Sequence, residues 1–430
     1  MTTHRSLESV VIKTSLWNRV NEPRQHIQYV DVSAVSSSRL EIVVPASIDG
    51  KKAPSRAQKI IQTGDVLFAT IRPSLKRIAK VPQKLDGEVA STAFCVLRPN
   101  PKIINSNFLF FSVCNDSFVS SVAEHEAGAS YPAVRDKDIF ERTIWVPDLQ
   151  IQSKIARCVD VLHRATLRQL DLIEQAETLK HAAMSQLFTC GLRGEAQKES
   201  EIGLIPDSWK IKRLDKVAKV ISTRMSYSEL ESMEDSISQD TQVLGVKVSD
   251  MNRFENQLEI LSAATSKAMS LETTSKKCAP PNTIVFPKRG AAIATNKKRL
   301  TTTWTVFDPN VIGVSALNVA DTRYLFHWFQ KFDLKTITEP GPTPQLNKKH
   351  LDPLQLPITS DPNERDQIVE ILDSIDKKIA LHQQKKLVLD ELFRSLLNKL
   401  MTGEISVHDL DLSALSDKEP QPQTEAEVQS

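Results

Sequence analysis

The sequence predicts an α+β chain organised as a tandem, in which two mixed α/β units are each closed by a long helix. Three observations carry this. A segment from around Ile151 to Leu187-Phe188-Thr189 recurs 213 positions later, from around Asn363 to Leu400-Met401-Thr402. Ile368, Leu372, Asp373, Leu392 and Leu400 fall on Ile155, Val159, Asp160, Leu179 and Leu187 without a gap. A repeat of this length is a duplicated unit rather than a short stacking motif, which sets solenoid architectures aside. The apolar positions of both copies keep a 4-3 spacing, and the stretch before each copy is rich in short β-branched runs.

Residues 1–147 form the first unit. Ile42-Val43-Val44, Gly64 to Ala69 and Ala93 to Leu97, bounded by Gly, Pro, Asn and Asp, read as strands. A helical pattern spans Phe108 to Val122, and Thr143-Ile144-Trp145-Val146 is the closing strand. Residues 148–190 are the first long helix and 191–209 a linker, whose Ile202 to Trp209 reads as an ordered entry strap packed on the second unit. That unit, 210–358, repeats the mixture with strands at Val243 to Val248, Thr283 to Phe286 and Val311 to Val314, and a helix at Thr322 to Phe332. The second long helix occupies 359–403. Its entry places Asp361 at the N-cap, Pro362 at the first helical position and Glu364 three residues after the cap, which satisfies first-turn amides. Gly191 and Gly403 stand where left-handed C-caps are wanted.

Between the caps, Ile155, Val159, Leu162, Thr166, Gln169, Ile173, Ala176, Lys180, Ala183 and Leu187 line one seam. Ile368, Leu372, Ile375, Ile379, His382, Lys386, Leu389, Phe393, Leu396 and Leu400 line the other. Roughly 38 residues at ~1.5 Å each make a rod of about 57 Å. Such a seam requires a partner helix, and the other copy is the obvious one. The alternative is two helices each lying on its own unit. Polar residues at mid-seam, Gln169, His382 and Lys386, fix register rather than bind metal.

With 430 residues, 40% of them hydrophobic and 25% charged, the chain can bury more than one core. No apolar run is long enough to span a membrane, and the N-terminus lacks the apolar core of a signal peptide. Five scattered cysteines without a C-x-x-C pair fit a reducing cytoplasm better than a disulfide framework. Residues 404–430 hold seven acids against Lys418, a net of −6, so the rest carries +8 of the formal +2. This acidic end, above all Lys418 to Ser430, is expected to be a disordered tail.

Enzyme signatures are missing. The sequence has no P-loop, no H-E-x-x-H, no G-x-S-x-G and no G-x-G-x-x-G. Ala279-Pro280-Pro281-Asn282 lacks the acid or amide and the aromatic of an amino-methylating site. Asp333-Leu334-Lys335 is too common a pattern to define a nuclease. No metal or cofactor site is expected.

Two matched places stand out instead. Arg72, Lys76 and Arg77 follow the Gly64–Ala69 strand; Lys288, Arg289, Lys297, Lys298 and Arg299 follow the Thr283–Phe286 strand. Aligning Phe68 with Phe286 brings Arg72 within a residue of Arg289. Such side chains neutralise phosphates, and arginine can grip guanine edges. The second place precedes each long helix: Ser130, Tyr131 and Arg135 in one unit, Thr343, Gln345, Asn347 and Lys348 in the other. Hydroxyl, amide and basic groups on Gly/Pro-shaped loops suit base edges or phosphates, although a plain structural turn is the alternative.

These features resemble the specificity subunit of type I restriction-modification systems. The family's helix entry is seen in Pro147, Gln152 and Ile155-Ala156. In the second copy Pro357 is followed by Glu364, Ile368 and Val369, with Arg365 where glutamine is usual. The exit Leu396 to Ile405 and the strap Ile202 to Trp209 are similar to the family's, while the first unit has no equivalent strap. The resemblance implies that both variable units are target-recognition domains and that the long helices pair antiparallel as a spacer. It further implies double-stranded DNA, two methyltransferase subunits and two restriction (motor-nuclease) subunits as partners. S-adenosylmethionine, ATP and Mg would then sit on those partners. A coiled-coil scaffold binding only proteins is the alternative from another class, and a divergent nuclease the third.

Overall fold

The computed structural model describes residues 3–126, 132–234, 241–339, 341 and 343–407. The chain divides into two compact units, Met1–Leu172 with His382–Ser430, and Ile173–Leu381. These differ from the contiguous divisions read in the sequence, because each unit takes part of both long helices. Helix–sheet packing against those helices, rather than chain continuity, sets the boundary.

In the first unit an antiparallel sheet runs in the order Val11–Ile12, Phe94–Pro99, Val66–Ala69, Ile78–Lys80. A second sheet runs Ala46–Asp49, His26–Val30, Val89–Ser91, Ala57–Ile60, with the middle pair parallel. The second unit repeats both layouts. Its first sheet is Ala218–Ile221, Val311–Ala316, Thr283–Pro287, Arg299–Thr301, extended by Glu259–Ile260. Its second is Thr265–Met269, Thr241–Val246, Trp304–Phe307, again with one parallel pair. Two stretches that look unrelated in sequence therefore share one topology. In each unit the opening strand pairs with the closing one, Thr3–Ser6 with Thr143–Val146 and Lys210–Arg213 with Gln355–Ile358.

The helical pattern from Phe108 to Val122 is two helices, Ser106–Cys114 and Asp116–Ala123. Asn115 between them is extended, and its side chain accepts from Ser117 N at 2.8 Å, so a local cap outcompetes continuation. The long helices span Leu149–Cys190 and Pro362–Met401, 42 and 40 residues. Gly191 and Gly403 cap them at φ +63° and +73°. At the second entry Asp361 Oδ1 accepts from Asn363 N at 3.0 Å, but Glu364 does not return to the cap. Thr359 Oγ1 accepts from Asp361 N in its place.

Each core is closed by both helices. In the first unit, Phe68, Phe108, Phe111 and Val146 pack with Ile155 and Val159 from the start of one helix and Leu397 and Leu400 from the end of the other. In the second, Trp209, Tyr324 and Phe329 pack with Leu187 and Phe188 from the end of one and Ile368 and Leu372 from the start of the other. The helices thus pair antiparallel within each unit. Every apolar seam position, Leu162, Ile173, Ile375, Ile379, Leu389, Phe393 and Leu396 included, is buried or half-buried. Gln169 Oε1 meets His382 Nδ1 at 2.8 Å in the first unit. Lys180 Nζ lies 2.6 Å from Asp376 Oδ1 in the second.

Ile405 and Val407, assigned to the acidic tail in the sequence, join the first unit's core because an apolar pair so close to the helix end finds a ready surface. Residues 408–430 of that tail lie outside the described residues. All five cysteines are free. Among the described residues, no helix is long and apolar enough to cross a membrane.

Candidate nucleic-acid interface

The two places singled out by sequence in each unit are hydrogen-bonded to each other. In the first unit an isolated bridge joins Ile71 to Ala133. Arg72 N donates to Pro132 O at 2.8 Å, and Val134 N to Thr70 O at 2.9 Å. In the second, the bridge joins Arg289 to Gln345, Gly290 N donates to Pro344 O at 2.9 Å, and Leu346 N to Lys288 O at 2.8 Å. Each unit therefore presents the end of a buried central strand and the loop before its closing strand as one platform. Arg72 and Gly290 occupy equivalent positions and both are left-handed, at φ +48° and +67°. Glycine takes that conformation freely; arginine does so at a cost of roughly 1–2 kcal/mol. The first platform holds a long cation in that position.

The platforms differ in their side chains. In the first, the exposed Arg135 guanidinium grips Asp138 bidentately, at 2.8 and 3.1 Å, and these hydrogen bonds hold the Asp138 carboxyl down to about 2. Arg72 is exposed. Lys76 is ion-paired with Asp116, and Arg77 donates to the carbonyls of Val32 and Val35 at 2.9 and 3.0 Å. Ser130 and Tyr131 lie outside the described residues. In the second, Arg289, Thr343 and Lys348 are exposed, and Lys288, Gln345 and Asn347 half-buried. A cleft of about 640 Å³ is lined by Lys288, Asn347 and Lys348 together with Arg224, Tyr227 and Lys349. The last three were not read from the sequence; Lys349, next to Lys348, carried the same basic signal, whereas Arg224 is brought there only by the sheet.

The run Lys297-Lys298-Arg299 does not form a basic surface. Lys297 bonds Asn252, and Lys298 and Arg299 are buried, 1% and 8% exposed. Arg299 donates to the carbonyls of Met251, Asn256 and Lys298, so the expectation that these two residues meet phosphates is corrected. Arg299 opens the Arg299–Thr301 strand and Lys298 precedes it; that strand is buried on both faces, so neither neighbour reaches solvent. Lys298 donates to Phe332 O at 2.6 Å, and burial lowers its pKa to about 7. Below that pH the folded state must keep a buried ammonium; between about 7 and 10.5 only the unfolded chain holds the extra proton, so stability rises with pH. Relative to Lys298→Met, the wild-type chain should gain on the order of a few kcal/mol between pH 6 and 9.5. Chemical denaturation across that range checks this; a constant difference would mean that Lys298 does not titrate there.

Two clamps hold the helix entries. Gln152, fully buried, donates to Ile103 O and Pro147 O at 3.0 and 2.8 Å and accepts from Asn105 N at 2.8 Å. In the second unit the neighbouring position takes over: Glu364 accepts from Trp209 Nε1, Thr359 Oγ1 and Leu192 N at 3.1, 2.7 and 3.1 Å. The strap is thereby tied to the helix it precedes. Sequence reading assigned Glu364 to a cap and missed this role. Ligand atoms of His327, Asp373 and Asp376 lie within 4.8 Å of one another. Lys180 and Arg323, at 2.6 and 3.5 Å, already balance the two carboxylates, so the group works as an ion-pair network. Asp333, suspected in sequence as part of an acid–lysine pair, caps its own turn through Lys335 N.

The model of the type I restriction modification DNA specificity domain matches residues 22–178 and 206–391. The chain belongs to this family. Its two matches fall on the two sheet-bearing stretches and their helices, as expected of the specificity fold. The putative type I restriction enzyme MjaX specificity subunit of Methanocaldococcus jannaschii is 21% identical over 417 residues, 92% of this chain and 91% of the relative. The HindI specificity subunit of Haemophilus influenzae is 32% identical over 141 residues, 32% of this chain and 30% of the relative. The fold is shared with the crystal structure of a type I S subunit from M. genitalium, at 14% identity and a TM-score of 0.59 over 93% of this chain and 96% of that one. The relatives are named as specificity subunits.

Proposed function

We propose that this chain reads a two-part, asymmetric double-stranded DNA site and docks methyltransferase and restriction subunits that carry S-adenosylmethionine, ATP and Mg. The observation that carries the reading is the twice-built platform: the same bridge and the same strand end, with different side chains on each. Equal scaffolds with unequal side chains suit two different half-sites. Phosphate contacts from Arg72, Arg289 and Lys348 would position the duplex, and the amides of Gln345 and Asn347 would address base edges. The paired helices act as spacer, and half-site centres are expected about one helical turn (~10 bp) apart.

Removing one heptad from each long helix, at matched positions, tests this. Mapping methylated sites in cells carrying the partner subunits should show a changed gap and unchanged half-sites. Altered half-sites at a constant gap would defeat the spacer assignment. Absence of any retarded genomic fragment, with or without partners, would favour the protein-binding scaffold.

A further inference from the structure

We propose that Asp308 is a base-reading residue of the second unit, accepting a hydrogen bond from the amino group of one base in that unit's half-site. The assignment rests on the DNA reading above and deepens it. In both units the connection between the two sheets is a third member of the platform. Lys288 N donates to Asn310 O at 2.7 Å, as Thr70 N donates to Ala93 O at 2.8 Å in the first unit. The connections themselves differ. In the first unit it is Thr92-Ala93, between the strands Val89–Ser91 and Phe94–Pro99. In the second it is Asp308-Pro309-Asn310, between Trp304–Phe307 and Val311–Ala316. A carboxylate thus stands beside one platform where the other has only a hydroxyl.

The half-buried carboxylate is held in place. Asp308 opens a turn, with Pro309 following and Val311 N donating to its carbonyl at 2.9 Å, and its Oδ1 accepts from Asn310 N at 2.8 Å. One hydrogen bond leaves most of a carboxylate's acceptor capacity unused. Its surroundings are cationic. Asp308 lines the cleft of about 640 Å³ together with Arg224, Lys288, Lys348 and Lys349. Lys349 pairs with Glu339 at 2.5 Å, and Lys348 lies 3.9 Å from Asp352. Arg224, Lys288 and Asp308 have no ion-pair partner among the described residues. The floor between them is apolar, built from buried Phe307, Val311 and Ile312. A DNA strand entering this cleft is held at its phosphates by Arg224 and Lys288. A carboxylate in the same place repels phosphate and contributes only where it meets a donor. The donors on base edges are the amino groups of adenine, cytosine and guanine. A carbonyl oxygen at that place would face negative charge, so Asp308 selects by exclusion as well as by attraction.

Asp308→Asn keeps the Oδ1 bond that holds the turn and replaces the other acceptor with a donor. Methylated sites are mapped in cells carrying wild type or variant together with the partner subunits. One position of one half-site should change, from a base presenting an amino group to one presenting a carbonyl, with the other half-site and the gap unchanged. Discrimination at that position, measured by anisotropy on single-base variants of the site, should fall at least about tenfold. Arg224→Ala should flatten the salt slope by about 0.9 and leave both half-sites as they are. Unchanged half-sites in Asp308→Asn overturn the assignment. A uniform gain in affinity for every sequence does the same, since it marks a carboxylate that only repels phosphate. An unaltered slope in Arg224→Ala takes the cleft off the DNA and overturns it too. If wild type with its partners neither methylates nor retards genomic DNA, the DNA reading itself falls, and this assignment with it.

Discussion

Asp376→Ala should lower the unfolding free energy by about 3–5 kcal/mol, among the largest single-site losses in the molecule. Asp376 and Lys180 meet at 2.6 Å with side chains only 7% and 11% exposed. Taking the carboxylate away leaves the Lys180 ammonium in a low-dielectric seam with no counter-charge, and leaves His327 without the carboxylate facing Nδ1 at 3.9 Å. The cost is that of an orphaned buried charge, not of a missing hydrogen bond alone. The double variant Lys180→Met, Asp376→Leu should therefore recover most of the loss, since well-packed apolar pairs match or exceed buried ion pairs. Urea midpoints of wild type, single and double variants decide the matter. A single variant as stable as wild type would show that Lys180 escapes to solvent. The pair also bears on function, because a buried polar pair at one seam position penalises every shifted register.

The second large effect is on binding. Replacing Arg72, Arg289 and Lys348 together with alanine should flatten the dependence of log affinity on log salt by roughly 3, about 0.9 for each phosphate no longer neutralised. A slope change of that size corresponds to a loss of roughly a thousandfold at 50 mM salt and under a hundredfold at 200 mM. Fluorescence anisotropy with the methylated genomic site, titrated at four salt concentrations, measures the slope. Lys298→Ala is the matched control: it also removes a lysine from the second unit, but one that is buried and spent on Phe332 O. Its slope should equal that of wild type. A triple variant with an unaltered slope would take these platforms out of the interface.

The frame of the molecule was legible because it is periodic. A 4-3 seam repeated over both helices, with Gly191 and Gly403 at the ends, leaves few alternatives to a helix pair. Beyond the matched Phe68 and Phe286 strands, the shared order of the two sheet systems was not legible. It rests on strand pairing, and Val66–Ala69 and Thr283–Pro287 share little beyond an apolar run holding Phe68 or Phe286. The platforms were half legible. Arg72 and Arg289 were found because they follow matching strands, and the bridges at Ile71 and Arg289 that reach the second loop each span some 60 residues. Counting basic residues misled at Lys298 and Arg299, which stand at the start of a strand covered on both faces. Glu364 was misassigned because its partners Leu192 and Trp209 come from a linker more than 150 residues upstream.

One consequence of the interleaved units concerns synthesis. The core around Phe108 and Phe111 is closed by Leu397 and Leu400. The first 172 residues thus leave the ribosome long before the last wall of their core exists, and about 210 further residues must be translated. At ~5–20 residues per second that interval is roughly 10–40 s. The second unit, complete at residue 381, can close earlier, so the nascent chain should mature from its middle outward and finish where it began.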